Sequence, residues 1–270
     1  MSPIAMPLSP MAEMRAITKR YGGITALDQV DFRIFGREIH ALCGDNAAGK
    51  STLIKVLSGA ITPEEGEIVF EGKPVRFRGP RDAKDLGIET VYQDLALADN
   101  LDVAANLFLG RELTHERTKG IFLDLRRMED EARNLLARLK IHLPNVRQRV
   151  RTMSGGQRQC VAIARSVYFN ARLVILDEPT AALGVKETQK VFDLVTEMRE
   201  QGLTVVMISH NLNHVFDLCD RITVLKTGRL AGSRHISETS KEEVLRMIMT
   251  GSSSPDGDGG AGAKPVRLSA

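Results

Sequence analysis

Two groups of residues carry the chemistry of this chain. The first is Gly44, Asp45, Asn46, Ala47, Ala48, Gly49, Lys50 and Ser51, followed by Thr52. It fits the pattern G-x-x-x-x-G-K-[ST] in full. Glycines in such a loop let backbone N–H groups turn inward around phosphate oxygens. A helix opening near Lys50 aims its positive dipole end at the same anion. Lys50 supplies a mobile cation for the β- and γ-phosphates, and the Ser51 hydroxyl is placed to ligate Mg²⁺. The second group is Leu173, Val174, Ile175 and Leu176, an apolar run ending in Asp177 and Glu178. A buried strand there delivers Asp177 beside the loop, where it can hold the Mg²⁺ shell. Glu178 then faces the position of an attacking water as a general base. Either group alone has bland readings, a Gly-containing turn or a solvated pair of acids. Together they point to a phosphate-loop NTPase.

A third segment asks for a second subunit. Met153 precedes Ser154, Gly155, Gly156 and Gln157. Ser154 is a good N-cap for a following helix, and two glycines keep the backbone open to an anion. One γ-phosphate does not need two phosphate-binding helix ends from one chain. The second end therefore suits a nucleotide held by another subunit.

The elements that must position these residues follow from periodicity. Residues 38–43, 88–92, 173–176, 204–208 and 222–225 are short apolar runs rich in β-branched residues, as buried parallel strands are. Residues 50–58 and 185–199 have helical spacing, and Gly202 stops the latter. Strand and helix in alternation predict an α/β core. Residues 15–35 and 67–77 alternate apolar and polar positions around turns, which predicts an antiparallel β subdomain. Periodic stretches at 128–139 and 155–167 predict an inserted helical subdomain, placed at about 97–168. Residues 1–12 are expected to be a flexible N-terminus, and 13–250 a single folded domain. The Gly- and Ser-rich segment 251–270 is expected to be a disordered tail.

Composition excludes several classes. The chain has 270 residues, 43% of them hydrophobic and 26% charged, and a net charge of +3. No Lys/Arg block is long enough for a nucleic-acid arm, so no nucleic-acid partner is expected. Three cysteines without CxxC spacing argue against a disulfide framework or a zinc site. No signal peptide is read at the N-terminus, and no apolar run approaches the length of a membrane span.

The order of these segments resembles the ABC ATPases over about residues 14–250. Met153 to Gln157 is similar to that family's LSGGQ signature, with Met for Leu. The resemblance implies ATP and Mg²⁺ as cofactors and a head-to-tail dimer of two copies. It implies that Tyr21 stacks on adenine. It also implies that Gln93, in Tyr92-Gln93-Asp94, contacts Mg²⁺ and water and senses the membrane subunit. His210, ending a run from Val205, is the implied switch histidine on the γ-phosphate. Residues 179–187 (Pro-Thr-Ala-Ala-Leu-Gly-Val-Lys-Glu) resemble sugar importers of the ribose, xylose and fructose type, and the single cassette resembles the fructose branch. Implied partners are membrane permease subunits and, through them, an extracytoplasmic sugar-binding protein; the implied location is the cytoplasmic face of the plasma membrane. A non-transport ABC-type ATPase, or an importer ATPase for another solute, is the alternative. Two departures stand out. Ala47 replaces the family's usual Gly, and Gly184 replaces an Asp that couples the two sites in relatives.

Overall fold

The computed structural model describes residues 9–115, 121–252. Of the ends expected to be flexible, 1–12 and 251–270, residues 1–8 and 253–270 lie outside the described residues. The ordered chain starts earlier than the sequence suggests. Strand β1 (Ala12–Tyr21) opens inside the segment expected to be flexible. Met11 N–H already donates to Ile34 O at 2.8 Å, and Ala12 is fully buried. A strand start paired on both sides, with Ile34 and with Phe70, and covered by core cannot fray.

The first sheet is antiparallel in the order β2-β1-β4-β5, with β2 (Ile24–Ile34), β4 (Glu65–Phe70) and β5 (Lys73–Val75). The second contains β3 (Ile39–Gly44), β6 (Ile88–Val91), β7 (Leu173–Asp177), β8 (Thr204–Ile208), β9 (Arg221–Lys226) and β10 (Arg229–His235). Its order is β10-β9-β3-β8-β7-β6, and only β10 runs antiparallel to its neighbour. β3 and β8 are buried along their whole length, which explains their unbroken apolar runs.

Side-chain alternation along these strands splits the core in two. Leu42, Ile175, Val206 and Ile208 face the antiparallel sheet and α1 (Lys50–Leu57), packing with Phe32, Leu53 and Leu57. Ala41, Cys43, Val174, Leu176, Val205 and Met207 point to the other face, against the remaining helices. Burial there pushes the Cys43 thiol up to about 12, so it packs as an inert apolar group.

Short helix α2 (Pro80–Asp85) precedes β6. The inserted helices are α3 (Val103–Phe108), α4 (Leu125–Arg138) and α5 (Gly155–Tyr168). They share the second core with the sheet rather than forming one of their own. Phe108, Tyr168 and Phe169 meet edge to face where the segment rejoins the sheet. The chain then runs through α6 (Val185–Glu200), α7 (Leu212–Leu218) and α8 (Lys241–Thr250). Among the described residues no helix is long and apolar enough to cross a membrane.

Candidate ATP site and signature helix

Parallel register brings the predicted residues to one edge. Leu42 pairs with Ile208, Asp177 with Ile208, and Val91 with Leu176. The residues that follow β3, β6, β7 and β8 are therefore the phosphate loop, Tyr92-Gln93, Glu178 and Ser209-His210. The carboxyl ends of parallel strands are where open α/β sheets bind ligands.

The loop is held by long-range backbone packing. A Cβ on Gly44 would sit 2.3 Å from Leu225 O, and one on Gly49 2.7 Å from Ala26 O. No other residue type fits either place. Ala48 N–H closes the turn on Asp45 O at 3.1 Å. Asp45 and Asn46 are exposed, and the Asp45 carboxylate pairs with Lys226 of β9. Gly49 caps α1 with φ 98°. Ala47 adopts φ 65° with its methyl exposed, so this alanine does sit in the left-handed region. Lys50 Nζ donates to Gly44 O at 2.7 Å and Asp45 O at 2.8 Å. The ammonium lies across its own loop. Ser51 is exposed and Thr52 half-buried on the first turn of α1.

Asp177 is half-buried at the end of β7. Burial, then the charge of Glu178, raise its carboxyl above the ordinary aspartate range, against the pull of Lys50 and Lys55. Removing water and adding a like charge both disfavour the ionised form. A cation at this spot would reverse that.

Glu178 has φ 49°, a left-handed conformation for a non-glycine residue, and its N–H donates to Ile208 O at 3.1 Å. Such strain collects at functional sites. The turn aims the side chain along the strand ends, where Oε2 lies 2.9 Å from His210 Nδ1. The acid is mostly covered (25% exposed) and the histidine mostly open (70%). Asn211 caps α7, accepting from Asn213 and His214 N–H, which fixes the backbone just after His210.

Gln93 is exposed past the end of β6. The loop beyond it is anchored by two residues that no motif singles out. Arg165 of α5 donates to Leu95 O and Ala96 O at 3.0 and 2.8 Å. Asn106, fully buried, accepts from Ala98 N–H and donates to Ala98 O and Asp102 O. Tyr21 ends β1 half-exposed, with Lys19 Nζ 5.5 Å from its ring centroid.

Ser154 begins α5 with a complete capping box. Its hydroxyl accepts from Gln157 N–H at 3.3 Å, and Gln157 Oε1 accepts from Ser154 N–H at 3.0 Å. The neighbours of Gly155 and Gly156 are Leu183 and Glu187; those of Gly44 and Gly49 are Ala26, Leu27, Ala48, Leu225 and Gly228. The structure thus gathers the loop, the carboxylates and His210 at one edge, and sets the Ser-Gly-Gly-Gln helix start against α6.

Comparison with known proteins matches this arrangement. The ABC transporter family model matches residues 27–181. The fructose import ATP-binding protein FrcA of Rhizobium meliloti is 50% identical over 228 residues, covering 83% of this chain and 88% of that one. A xylose/arabinose import ATP-binding protein of Sulfolobus acidocaldarius is 45% identical over 89% of this chain and 94% of its own length. The chain spans about half (47%) of a ribose import ATP-binding protein of Rubrobacter xylanophilus, at 45% identity. Among solved structures, a nucleotide-free ATP-binding cassette superposes with TM-score 0.75 at 24% identity, covering 91% of this chain and 96% of that one. A dimeric post-hydrolysis cassette bound to ADP and Pi superposes with TM-score 0.70 at 25% identity, covering 84% and 99%. On the family match and these identities together, the chain belongs to the ABC transporter family, as its ATP-binding cassette.

Proposed function

We propose that this cassette drives monosaccharide uptake through a separate membrane permease, with a sugar-binding protein delivering cargo on the far side. What supports the cargo class is the 50% and 45% identity to fructose and xylose/arabinose import proteins over nearly whole chains. The site itself supports ATP hydrolysis shared between two copies at the cytoplasmic membrane face. Each γ-phosphate lies between Lys50 of one copy and Ser154 and Gly156 of the second. Tyr21 stacks on adenine. The loop from Gly44 to Thr52 wraps the phosphates with its backbone N–H groups. Glu178 leaves His210 to orient and deprotonate the attacking water, while His210 turns to the developing γ-phosphate charge. Gln93 registers the γ-phosphate, and the loop anchored by Arg165 and Asn106 carries that change toward the permease.

Mg²⁺ fits the donors present, which are all oxygen: the Ser51 hydroxyl, the Gln93 side-chain carbonyl and the Asp177 carboxyl. Among the described residues no group of three or more His, Cys, Asp or Glu side chains could hold a metal. The phosphates of a bound nucleotide would complete its shell. When bound it neutralises charge on the transferring phosphoryl group.

The observation that carries the reaction is the Glu178–His210 pair at the strand edge beside the phosphate loop. Glu178→Gln should bind ATP with little change and lose nearly all hydrolysis. ATPase activity close to that of the parent chain, measured with the permease in vesicles, sinks the assignment.

A further inference from the structure

The turn between β9 and β10 is built onto the phosphate loop. Lys226 and Arg229 pair across it, and Thr227 and Gly228 between them have φ 48° and 73°. Two consecutive left-handed residues make the tight hairpin turn that matches strand twist. Gly228 N–H donates to Ala48 O at 3.0 Å, and Gly228 O accepts from Asp28 N–H at 2.8 Å. A Cβ on Gly228 would lie 2.7 Å from Ala26 O, which excludes any side chain there. Arg229 then grips one oxygen of the Asp28 carboxylate with two N–H groups, at 2.9 and 2.6 Å. Backbone and side chain together fix where Lys226 stands relative to the loop.

Lys226 faces the one acid between Gly44 and Thr52. Its ammonium pairs with the Asp45 carboxylate. Its stem passes the end of α8, where a Cβ on Gly251 would be 3.4 Å from Lys226 Cγ. Asp45 puts a negative charge into a loop whose ligand is a chain of phosphates, and like charges a few Å apart repel. The Asp45 carbonyl also accepts from Lys50 Nζ at 2.8 Å. The residue that carries the carboxylate therefore also holds the phosphate-binding ammonium.

We propose that Lys226 is a positioning residue for nucleotide binding: it ties the Asp45 carboxylate to β9, so that the loop presents Lys50 and not an acid to the phosphates. This rests on the reading of Gly44 to Thr52 as the nucleotide loop. Lys226 acts through Asp45 and not on the nucleotide itself. Without its partner ammonium the carboxylate swings toward the phosphates or toward Lys50, and either movement weakens binding. The hairpin that carries Lys226 is fixed to the loop by Gly228, so the ion pair is set by the fold and not by the reach of a loose side chain.

The test is titration of the full chain with ADP and Mg²⁺ by calorimetry at low salt, since ADP occupies the loop without turnover. Lys226→Gln removes the charge and should weaken ADP binding about fivefold, the ratio set by a water-screened repulsion between unit charges a few Å apart. Lys226→Arg keeps the charge and should bind as the parent does. In the Asp45→Asn background Lys226→Gln should change the affinity by less than about twofold, because the acid it restrains is gone. High salt should shrink the fivefold loss. All variants should melt with the parent, since an exposed ion pair adds little stability. A loss of equal size with and without Asp45 means that Lys226 acts by its own charge, and overturns the inference. So does an unchanged affinity in Lys226→Gln, or a large drop in its melting temperature. Failure of the parent chain to bind ADP overturns the reading of the loop instead, and this inference with it.

Discussion

Ala47→Gly should make the protein more stable, against the usual cost of putting glycine in a chain. Ala47 sits at φ 65° on an exposed turn of the phosphate loop. An L-residue in that region suffers about 1–2 kcal/mol of Cβ–carbonyl crowding. Glycine removes the crowding but enlarges the unfolded ensemble, which costs roughly 0.4–1 kcal/mol. The balance favours the variant by about 0.5–1 kcal/mol, since no packing is lost with an exposed methyl. In a domain of this size that shifts Tm upward by roughly 1–4 °C. The substitution removes only an exposed methyl and keeps every backbone N–H of the loop, so ATP affinity should stay within about twofold. The assay is thermal unfolding by circular dichroism, paired with ATP titration. Ala60→Gly is the control, because Ala60 is exposed without a positive φ, and it should lose stability. A lower Tm for Ala47→Gly, matching the control, refutes the strain.

Two further substitutions test the site from other sides. Asp177 has its folded pKa raised by burial and by Glu178. Its ionised form is therefore disfavoured by folding, and stability falls as pH rises from the ordinary aspartate pKa through the raised one. Asp177→Asn should raise Tm at neutral pH, flatten that part of the pH–stability curve, and abolish Mg²⁺-dependent hydrolysis; a lower Tm would show that the carboxylate is stabilising. Gly184 has ordinary backbone angles (φ −72°, ψ 164°) and open space around its α-carbon. Gly184→Asp should consequently fold with an unchanged Tm in the same melt, and a large loss would mean that the turn needs glycine.

Much of this was legible because it is local. The run from Glu38 to Cys43 reads as a buried strand, and alternation along it decides which core receives Leu42 and which receives Ala41. The phosphate loop and the capping box at Ser154 are contiguous motifs with a direct physical meaning. What was hidden depends on partners far along the chain. Leu225 O shapes the space at Gly44, Lys226 pairs with Asp45, and Arg165 reaches back to Leu95 and Ala96. Glu187 carries no signal of contact with the Ser154 helix in its own segment. Only the packing of α6 against α5 brings it onto Gly156. The start of β1 at Ala12 was missed because Met, Pro and Ser upstream resemble a loose end, while pairing with Ile34 decides the matter.

The central claim is that one chain holds half of each ATP site. It is tested most directly by comparing Glu178→Gln with Glu178→Gln/Ser154→Arg. Both are titrated with ATP while nucleotide binding and mass are measured together. The account predicts that both bind ATP as monomers with similar affinity, and that only the first doubles in mass. Loss of monomer ATP binding in the double variant, or a double variant that still dimerises with ATP, would contradict it.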